Sequence, residues 1–389
     1  MPVFIPASPE DLTPEWLTAT MRAAGALPAG RVRRHEVVSL TDGGTGFTGE
    51  TVRVRLELEG AGPVASTVIA KFPTGDRQNR GMLEQFDAYA REIRFYREFS
   101  HRMPCPIPTY LGAAFDEKGA RRTGPRMSRF IDGLPDRIQL AITRDVTKFM
   151  RVTKRRYALL LEDLGADTTV HDMAAPPSDD QLGAVLDVLA AVHAAFWLDA
   201  SLEGNPVFRP IVTTTPGLYQ TVGRKRCLAL ARERWSDWLT DHHVDLINDA
   251  IDRLPADVAA INEKLTLIHG DPRSDNILFG DDGRVVLLDW ALAGHAHPGF
   301  DVGYLLSSCI DRGRVGAIDG LVSRYEAALV ANGVDIAGLG LRSVVAASYR
   351  SLAVQQLMSI AVLHGDGYDG DAIFDLWVPR ILAGLAHDW

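Results

Sequence analysis

Three oxygen-bearing side chains, Asp271, Asn276 and Asp289, lie close to apolar stretches of this chain. Carboxylate and amide oxygens are the ligands that Mg²⁺ prefers, and Mg²⁺ usually shares its shell with substrate phosphates. The spacing Asp-x-Arg-x-x-Asn, which includes Arg273, precedes a strand that ends in Asp, and this fits the template for phosphoryl transfer. In that template one Asp orients the attacking hydroxyl, while the Asn and the second Asp hold the metal.

The elements that must position these residues are short strands and turns. The pattern predicts a β-hairpin with an apolar strand from Ile277, a turn at Asp281-Asp282-Gly283, and a strand from Val285 that delivers Asp289. An apolar strand end also precedes His269-Gly270-Asp271. We expect one end of a small sheet to collect the three oxygen ligands. A polar hairpin whose Asp and Asn only serve turns is the alternative, but it leaves charges between apolar stretches unexplained.

A glycine-rich loop with Gly43, Gly44 and Gly46 joins two strands early in the chain. A dinucleotide fingerprint would need a helix after this loop, whereas the alternation of apolar and polar residues from Val52 to Leu58 predicts a strand. A P-loop is also excluded, because Glu50 replaces the lysine that would meet the phosphates. Two alternatives remain: a loop that covers ATP phosphates with backbone N–H groups, and an ordinary glycine-rich hairpin.

The next strand places Lys71 within an apolar run. Kinases need such a lysine to neutralise the α- and β-phosphates of ATP, and they need a helix glutamate to hold it. A helix predicted from about Gly81 to Phe99 offers Glu92 for this purpose, with Glu84 and Glu98 as alternatives. A solubilising lysine at a strand edge is the simpler interpretation of Lys71 alone, but its position after the loop and before the helix favours ATP binding.

The apolar strand Tyr157 to Leu161 ends abruptly in polar residues and glycine, as suits a hinge between two lobes. Exposed backbone groups at Glu162 and Leu164 could pair there with an adenine edge. We therefore expect residues 1–165 to form a nucleotide-binding N-lobe. Residues 166–389 would form a C-lobe with the catalytic loop, the metal site and the acceptor site.

A basic stretch, residues 117–156, interrupts the first lobe, and part of it, Pro135 to Met150, could be an amphipathic helix. A solvated excursion is the simplest interpretation of this stretch. A contribution to an acceptor pocket or to a subunit contact is the alternative.

Composition limits the classes of protein that fit the chain. With 389 residues, of which 46% are hydrophobic, a globular chain with two sizeable lobes is expected. The net charge of −9 provides no broad basic surface for nucleic acid. Three widely spaced cysteines indicate a reducing compartment. The start of the chain lacks a signal-peptide pattern, and no apolar run approaches the ~18 residues of a membrane span. We expect a cytoplasmic protein, and the oligomeric state is not readable.

Together these features resemble the aminoglycoside phosphotransferase and choline kinase superfamily, whose fold is similar to that of protein kinases. Within it, the chain looks most like the ecdysteroid kinase-like group. The resemblance covers nearly the whole chain, and its specific motifs are His269-Gly270-Asp271 and Asp289-Trp290. It implies an α+β, bilobal, protein-kinase-like fold, with an antiparallel sheet and a helix in the N-lobe and a mainly helical C-lobe.

The resemblance also implies the roles of individual residues. Carried over by position, these are a catalytic aspartate at Asp271, a basic residue near the transferred phosphate at Arg273, Mg²⁺ ligands at Asn276 and Asp289, and ATP positioning by Lys71 with Glu92. The implied activity moves the γ-phosphate of ATP, with Mg²⁺, to a hydroxyl of a small molecule such as an aminoglycoside, sugar, amino alcohol or steroid. Arg273-Ser274-Asp275-Asn276 departs from the His-Pro-Gly-Asn of many antibiotic-modifying members, so no antibiotic substrate is assumed.

Other functions fit these motifs less well. A protein kinase is disfavoured, because His269-Gly270-Asp271 replaces His-Arg-Asp and Asp289-Trp290 replaces Asp-Phe-Gly. A catalytically silent nucleotide-binding regulatory protein of the same fold remains the main alternative, although it would have no chemical need for Lys71, Asp271, Asn276 and Asp289 together. A dinucleotide oxidoreductase is excluded by the strand that follows the glycine loop.

Overall fold

A computed structural model describes residues 4–40, 49–60, 65–117, 133–144, 155–165, 168–205, 207–208, 219–363 and 371–389. These residues form two compact units: the first contains the described residues up to 117, those of 155–165 and Thr168, and the second contains 133–144 and everything from 169 onward. The first unit has an antiparallel sheet with helices, and the second is mainly helical, so the predicted α+β class is confirmed. The glycines of the predicted phosphate loop, Gly43, Gly44 and Gly46, lie outside the described residues.

The sheet of the first unit has five strands in the order β1-β2-β3-β5-β4, all paired antiparallel: β1 (Arg31–Ser39), β2 (Gly49–Glu59), β3 (Thr67–Pro73), β4 (Tyr110–Phe115) and β5 (Tyr157–Glu162). Alternate residues of β2 are buried, as the sequence predicts for a strand with one face on the core. Helix α1 (Pro14–Ala23) packs Leu17 and Met21 into the same core. Thr13 followed by Pro14 predicts an N-cap for α1, and this cap is present, because Thr13 Oγ1 accepts a hydrogen bond from Trp16 N at 3.1 Å.

The predicted single helix from Gly81 to Phe99 is wrong. Two helices, α2 (Arg77–Gln85) and α3 (Ala88–Glu98), occupy this region. They are separated at Asp87, which has a φ of 54°, in the left-handed region that Asp tolerates better than most residues. The buried Asp87 carboxylate lies between Arg94, at 3.3 Å, and Arg155, at 3.0 Å. These two ion pairs hold the break in place.

Helix α4 (Asp136–Arg144) lies within the helix predicted for the basic stretch and belongs to the second unit, while residues 145–150 of that prediction lie outside the described residues. Lys225 Nζ lies 2.6 Å from Asp136 Oδ2, and Thr221 Oγ1 donates to Asp136 Oδ1 at 3.2 Å. Leu140 packs against the core of the second unit. Residues 133–144 of the stretch thus belong to the second unit, whereas its described ends, residues 117 and 155–156, belong to the first unit.

The remaining helices belong to the second unit: α5 (Asp179–Ala195), a π-helix (Tyr219–Cys227), α6 (Leu228–Arg234), α7 (Asp241–Ile261), α8 (Gly299–Cys309), α9 (Ile318–Ala331), α10 (Leu341–Leu363) and α11 (Asp371–Leu385). Helix α5 starts with a capping box between Ser178 and Gln181. Helix α10 packs along α7 and α8. Short 3₁₀ turns occur at Pro9–Asp11, Ser100–Arg102, Ala200–Leu202, Ser274–Asn276, Trp290–Leu292 and Arg312–Ala317. Among the described helices, none has the length and apolar character needed to cross a membrane.

Five short strands of the second unit form two separate sheets. Strands β6 (Thr168–Val170), β8 (Ile277–Gly280) and β9 (Val285–Leu287) form one sheet, and the predicted β8–β9 hairpin is confirmed by the pairing of Ile277 with Leu287. Strand β7 (Thr266–Ile268), which precedes the His269-Gly270-Asp271 loop, pairs with β10 (Gly294–Ala296) instead. The expectation of one small sheet is therefore wrong. Local sequence does not reveal which strand β7 pairs with.

Candidate active site

The loop His269-Gly270-Asp271 follows β7 and is held by Asp301 in the first turn of α8. The carboxylate of Asp301 accepts hydrogen bonds from His269 N at 2.6 Å and from Gly270 N at 2.9 Å. Asp301 is fully buried. The sequence predicts a helix from Val302 with Asp301 as its cap, but the helix begins at Gly299, and the Asp301 carboxylate fixes the loop.

Two further buried side chains extend this hydrogen-bonded group. His193 Nε2, from α5, lies 3.2 Å from Asp301 Oδ2, and His193 Nδ1 lies 2.6 Å from the Tyr325 hydroxyl on α9. The sequence predicts His193 to be a satisfied core histidine, and both of its ring nitrogens do have partners. One of those partners, however, is the carboxylate that fixes the loop.

Gly270 lies where the loop approaches the segment after β9. Its φ is 84°, which most side chains disfavour. A Cβ at this position would also collide with the carbonyl oxygen of Leu292. The glycine of the His-Gly-Asp motif is thus required by both backbone conformation and space.

The His269 side chain connects the loop to Asp289. His269 Nε2 donates to the carbonyl oxygen of Leu288 at 2.7 Å, and its ring lies 4.6 Å from the ring of Trp290. Leu288 N donates to the carbonyl oxygen of Asn276 at 2.8 Å. The backbone positions of Asn276 and Asp289 are therefore coupled to the same loop.

Asp271 is buried and surrounded by charged and polar groups. Arg273 Nε lies 2.9 Å from Asp271 Oδ1, and Arg273 Nη2 lies 3.4 Å from Asp271 Oδ2. Burial raises the pKa of Asp271, and the negative charge of Asp289 adds to this, although Arg273 and Tyr304 oppose it. Burial would lower the pKa of Arg273, but the nearby Asp271 carboxylate raises it overall. A carboxylate of raised pKa accepts a proton more readily than an exposed one.

The predicted metal ligands offer hard oxygen atoms. Asn276 Nδ2 donates to the carbonyl oxygen of Asp271 at 2.9 Å, which directs the amide oxygen away from that carbonyl. Asp289 Oδ1 accepts a hydrogen bond from Ala291 N at 3.3 Å. Within the described ranges, no three or more His, Cys, Asp and Glu residues form a metal-binding cluster. Mg²⁺ needs none, since it binds through one or two carboxylates together with water and phosphate oxygens. An amide and a carboxylate therefore fit Mg²⁺.

In the first unit, Lys71 on β3 pairs with Glu92 on α3. Lys71 Nζ lies 2.6 Å from Glu92 Oε1, and both side chains are largely buried. Of the other candidate glutamates, Glu84 pairs with Arg80 at 3.1 Å, and Glu98 is exposed at the end of α3. The structure thus distinguishes among three glutamates that the sequence left open.

The predicted hinge residues Glu162 and Leu164 are engaged within the first unit. Glu162 N donates to the carbonyl oxygen of Thr109 at 2.9 Å, and Glu162 Oε2 accepts from the Thr109 hydroxyl at 2.5 Å. The carbonyl oxygen of Leu164 accepts from the Thr168 hydroxyl at 3.1 Å. These bonds order the end of β5, while pairing with an adenine edge stays a prediction.

Comparison with known proteins places the chain in a family. Residues 67–333 match the model of APH, the phosphotransferase enzyme family. The chain belongs to this family. The uncharacterized protein YcbJ of Bacillus subtilis (strain 168) is 32% identical over 130 residues, which are 32% of this chain and 37% of that relative. The match thus spans little more than a third of the relative's length.

Solved structures are less similar in sequence to this phosphotransferase-family chain than the Bacillus subtilis relative is. A candidate aminoglycoside phosphotransferase from Ralstonia eutropha is 17% identical, with a TM-score of 0.47, over 91% of this chain and 93% of its own. Choline kinase LicA from Streptococcus pneumoniae is 13% identical, with a TM-score of 0.48, over 90% and 94% of the two chains. Likenesses of this size carry no argument on substrate, so the family assignment rests on the sequence match.

Sequence reasoning missed three residues around the phosphotransferase-family loop: Asp301, Tyr304 and Tyr325. Asp301 and Tyr304 lie three residues apart on α8, and this spacing puts both on one face of a helix. This three-residue spacing could have indicated that Asp301 and Tyr304 share one face of a helix. The interpretation of Asp301 as a helix cap does not use it. No local pattern indicates that Tyr325 contacts His193.

Proposed function

We propose that this chain is an ATP- and Mg²⁺-dependent phosphotransferase that moves the γ-phosphate of ATP to a hydroxyl of a small molecule. The observation that supports this most is the buried Asp271 carboxylate, which Arg273 contacts on a loop fixed by Asp301. A carboxylate held in this way can orient an acceptor hydroxyl. Membership of the phosphotransferase family supports the same activity.

Asp271 accepts a hydrogen bond from the acceptor hydroxyl and aligns its oxygen with the γ-phosphorus. A bond forms between the acceptor oxygen and the γ-phosphorus, and the bond between that phosphorus and the β,γ-bridging oxygen breaks, so ADP leaves. Asp271 takes the hydroxyl proton and passes it to solvent. The raised pKa of Asp271 favours this step.

Charge near the phosphates is provided by the other predicted residues. Arg273 stabilises the transferring group, and Lys71, oriented by Glu92, neutralises the α- and β-phosphates. Asn276 and Asp289 would hold Mg²⁺, which when bound neutralises charge on the β- and γ-phosphate oxygens. Positioning and electrostatics, without a covalent intermediate, supply most of the rate enhancement.

We also propose the cellular compartment in which the protein acts and the chemical class of its acceptor. Cys105, Cys227 and Cys309 are all free, which supports a reducing, cytoplasmic compartment. The resemblance to the ecdysteroid kinase-like group places steroid alcohols among the candidate acceptors. The resemblance of the sequence to the aminoglycoside phosphotransferase and choline kinase superfamily adds amino alcohols and aminoglycosides, and sugars complete the panel.

The test is ATP turnover with Mg²⁺ across that panel, comparing wild type, Asp271→Ala and the control Asp282→Ala. Asp282 lies in the exposed turn of the hairpin, so its loss should leave turnover intact. We expect acceptor-stimulated ADP release that survives in Asp282→Ala and falls by about 10²-fold or more in Asp271→Ala. Tight ATP binding without turnover for any acceptor would favour the silent nucleotide-binding protein, and absence of ATP binding would refute both functions.

A further inference from the structure

Helix α3, which carries Glu92, begins after Asp87, an N-cap residue whose carboxylate is not used as a cap. The carbonyl oxygen of Asp87 accepts the first helical hydrogen bond, from Arg91 N at 2.8 Å. An Asp at this position ordinarily also accepts hydrogen bonds from backbone N–H groups of the first turn through its side chain. No residue in the described first turn of α3 donates such a bond. The buried carboxylate pairs with Arg94 and Arg155 instead.

One of these arginines, Arg155, lies just before β5 and not on α3. Arg155 Nη1 donates to Asp87 Oδ1 at 3.0 Å, and both side chains are almost completely buried. Two further contacts fix the guanidinium: Nε donates to the carbonyl oxygen of Asp116 at 3.0 Å, and the group lies 4.9 Å from the centroid of the Tyr157 ring. Because a buried charge without its partner is costly, the ion pair restricts where the start of α3 can lie relative to β5.

Tyr157, the first residue of β5, also contacts α3. Its ring centroid lies 5.2 Å from that of Tyr89, and the Tyr89 hydroxyl oxygen accepts a hydrogen bond from Thr74 N at 3.2 Å. Thr74 directly follows β3, the strand that carries Lys71. The start of α3 is thus in contact with β5 and with the end of β3, and the Asp87–Arg155 ion pair is the charged part of that contact.

Lys71 and Glu92 join the same helix to the same sheet a second time. Lys71 on β3 pairs with Leu159 of β5, which lies four residues after Arg155. Glu92 lies five residues after Asp87, a distance of about 7.5 Å along a helix axis. The two ion pairs are therefore neighbouring links between one helix and one sheet. A helix held at both points resists the rotation that would take Glu92 away from Lys71.

We propose, on the basis of the function proposed above, that Asp87 and Arg155 are positioning residues for nucleotide binding. Their ion pair holds the start of α3 against β5, which keeps Glu92 within reach of Lys71. The lysine ammonium then keeps the position in which it meets the α- and β-phosphates of ATP. Asp87 and Arg155 act through Glu92 and Lys71 rather than by contact with the nucleotide.

The first test measures the dissociation constant of ADP, with Mg²⁺, by titration calorimetry. ADP carries both phosphates that Lys71 would meet, and it is not consumed during the measurement. Arg155→Met removes the guanidinium and keeps an unbranched side chain, whereas Arg155→Lys keeps the positive charge. We expect Arg155→Met to raise the dissociation constant by about 2- to 30-fold, and Arg155→Lys to recover most of that affinity. An unchanged constant in Arg155→Met would overturn the proposal.

The same variants in a Lys71→Ala background test whether Arg155 acts through the lysine. With Lys71 absent, Arg155→Met should change the dissociation constant by less than about twofold, because residues of one network give non-additive effects. Equal factors in the two backgrounds would mean that Arg155 only supports the fold, and the positioning role would be refuted. If Arg155→Met does not fold, Asp87→Asn takes its place with the same expectations, since Asn lacks the charge and tolerates the φ of 54° at this position.

Arg350→Met is the matched control. Arg350 binds both oxygens of Asp257 in a buried ion pair of the second unit, at 2.8 and 2.7 Å, and neither residue belongs to the predicted nucleotide site. This variant should lower the free energy of unfolding without changing the dissociation constant of ADP. A rise as large as that in Arg155→Met would show that the loss of any buried ion pair weakens binding, contrary to the proposal.

The second test needs no nucleotide. Amide hydrogen exchange, followed by mass spectrometry, is compared between α3 and α1, which belong to the same unit. Arg155→Met should speed exchange in α3 by about tenfold and leave α1 unchanged, because the ion pair holds α3 locally. Equal acceleration in the two helices would overturn that local hold. If α3 alone responds but the wild type binds no ADP, the hold on α3 is confirmed, whereas the proposed function and the nucleotide role that depends on it are refuted.

Discussion

Asp271 and Asp282 have the same side chain, but their surroundings give them different chemistry. Asp282 lies in an exposed hairpin turn and accepts a hydrogen bond from Arg284 N at 3.1 Å. Asp271 is buried beside Arg273 and Tyr304, and burial raises its pKa. A residue type at a motif position is therefore only a candidate, and its burial and neighbours decide whether it can orient a hydroxyl.

Asp301→Asn should reduce both stability and activity. The Asp301 carboxylate accepts from His269 N, Gly270 N and His193 Nε2, and an amide NH₂ in place of one oxygen would face a donor. We expect a loss of about 1–3 kcal/mol in the free energy of unfolding, together with reduced ATP turnover, because the loop that carries Asp271 shifts. Chemical denaturation and ADP release measure the two effects.

Asp257→Asn is the control for this variant. Asp257 is also buried, and Arg350 binds both of its oxygens, at 2.8 and 2.7 Å, away from the catalytic loop. It should lose stability but retain turnover. If Asp301→Asn and Asp257→Asn lost the same fraction of ATP turnover for each kcal/mol of unfolding free energy lost, a specific role for Asp301 would be contradicted.

Lys71→Ala should weaken ATP binding. The Lys71 ammonium lies 2.6 Å from Glu92 Oε1 and is held in one position on β3, where it can meet phosphates. We expect the KM for ATP to rise by about tenfold or more, since each 1.4 kcal/mol of lost binding is tenfold. Arg31→Ala breaks an exposed ion pair with Glu59 in the same sheet and should leave the KM unchanged. A normal KM in Lys71→Ala would remove this residue from the nucleotide site.

At the scale of elements, two glycines with nearly the same φ allow a direct comparison. Gly270 in the catalytic loop has a φ of 84°, and Gly283 in the hairpin turn has a φ of 81°. A Cβ on Gly270 would meet the Leu292 carbonyl oxygen, whereas a Cβ on Gly283 would have nothing within 4 Å. Gly283→Ala should cost about 1 kcal/mol from left-handed strain alone.

Gly270→Ala adds a steric clash to that strain, so its loss of unfolding free energy should clearly exceed that of Gly283→Ala. Thermal unfolding and ATP turnover of the two variants provide the comparison. Activity should fall only in Gly270→Ala, because only this glycine lies in the loop that carries Asp271. Similar stability in the two variants would mean that the loop can move away from Leu292 at little cost.

Elements with a local cause were predictable from the sequence. Alternation predicts the buried face of β2, Thr13 predicts the start of α1, and the turn at Asp281-Asp282-Gly283 predicts the β8–β9 hairpin. The break at Asp87 was missed because its ion pair with Arg155 joins residues 68 positions apart. The β7–β10 sheet was missed for a related reason, since local patterns do not specify the partner of a strand.

The residues of the candidate site also divide into those with a local signal in the sequence and those without one. Asp271, Asn276 and Asp289 are predicted from their spacing, because metal and phosphate chemistry restricts which residue types can serve. Asp301 carries no such spacing to the loop, since it acts from a helix whose contacts appear only in three dimensions. Residues that support a motif are thus harder to predict than the motif itself.

At the scale of the whole molecule, each unit has its own apolar core and its own part of the predicted machinery. The core of the first unit includes Leu17, Val54 and Leu160, and the second core is built around α7 and α10. Lys71 and Glu92 belong to the first unit, and Asp271, Asn276 and Asp289 belong to the second. Helix α4 belongs to the second unit although it precedes β5, which belongs to the sheet of the first unit. No single boundary in the sequence therefore separates the residues of the two units.

The three cysteines can report on the two units separately. Burial raises the pKa of Cys105 and of Cys227 to about 12 and that of Cys309 to about 11. At pH 8 these groups are thiols rather than the nucleophilic thiolates, so iodoacetamide should label the native protein very slowly. Rapid labelling of Cys309 without denaturant would contradict its burial.

In rising concentrations of urea, labelling should follow the opening of each core. Cys227 and Cys309 lie in the second unit and should become reactive over the same range of urea, whereas Cys105 should follow the first unit. Mass spectrometry of the three cysteine-containing peptides after timed labelling gives the separate curves. In Asp301→Asn, Cys227 and Cys309 should still become reactive over the same range of urea, and this range should move to lower urea because the variant weakens the second unit. An equal movement of the range for Cys105 would show that the two units unfold as one cooperative structure.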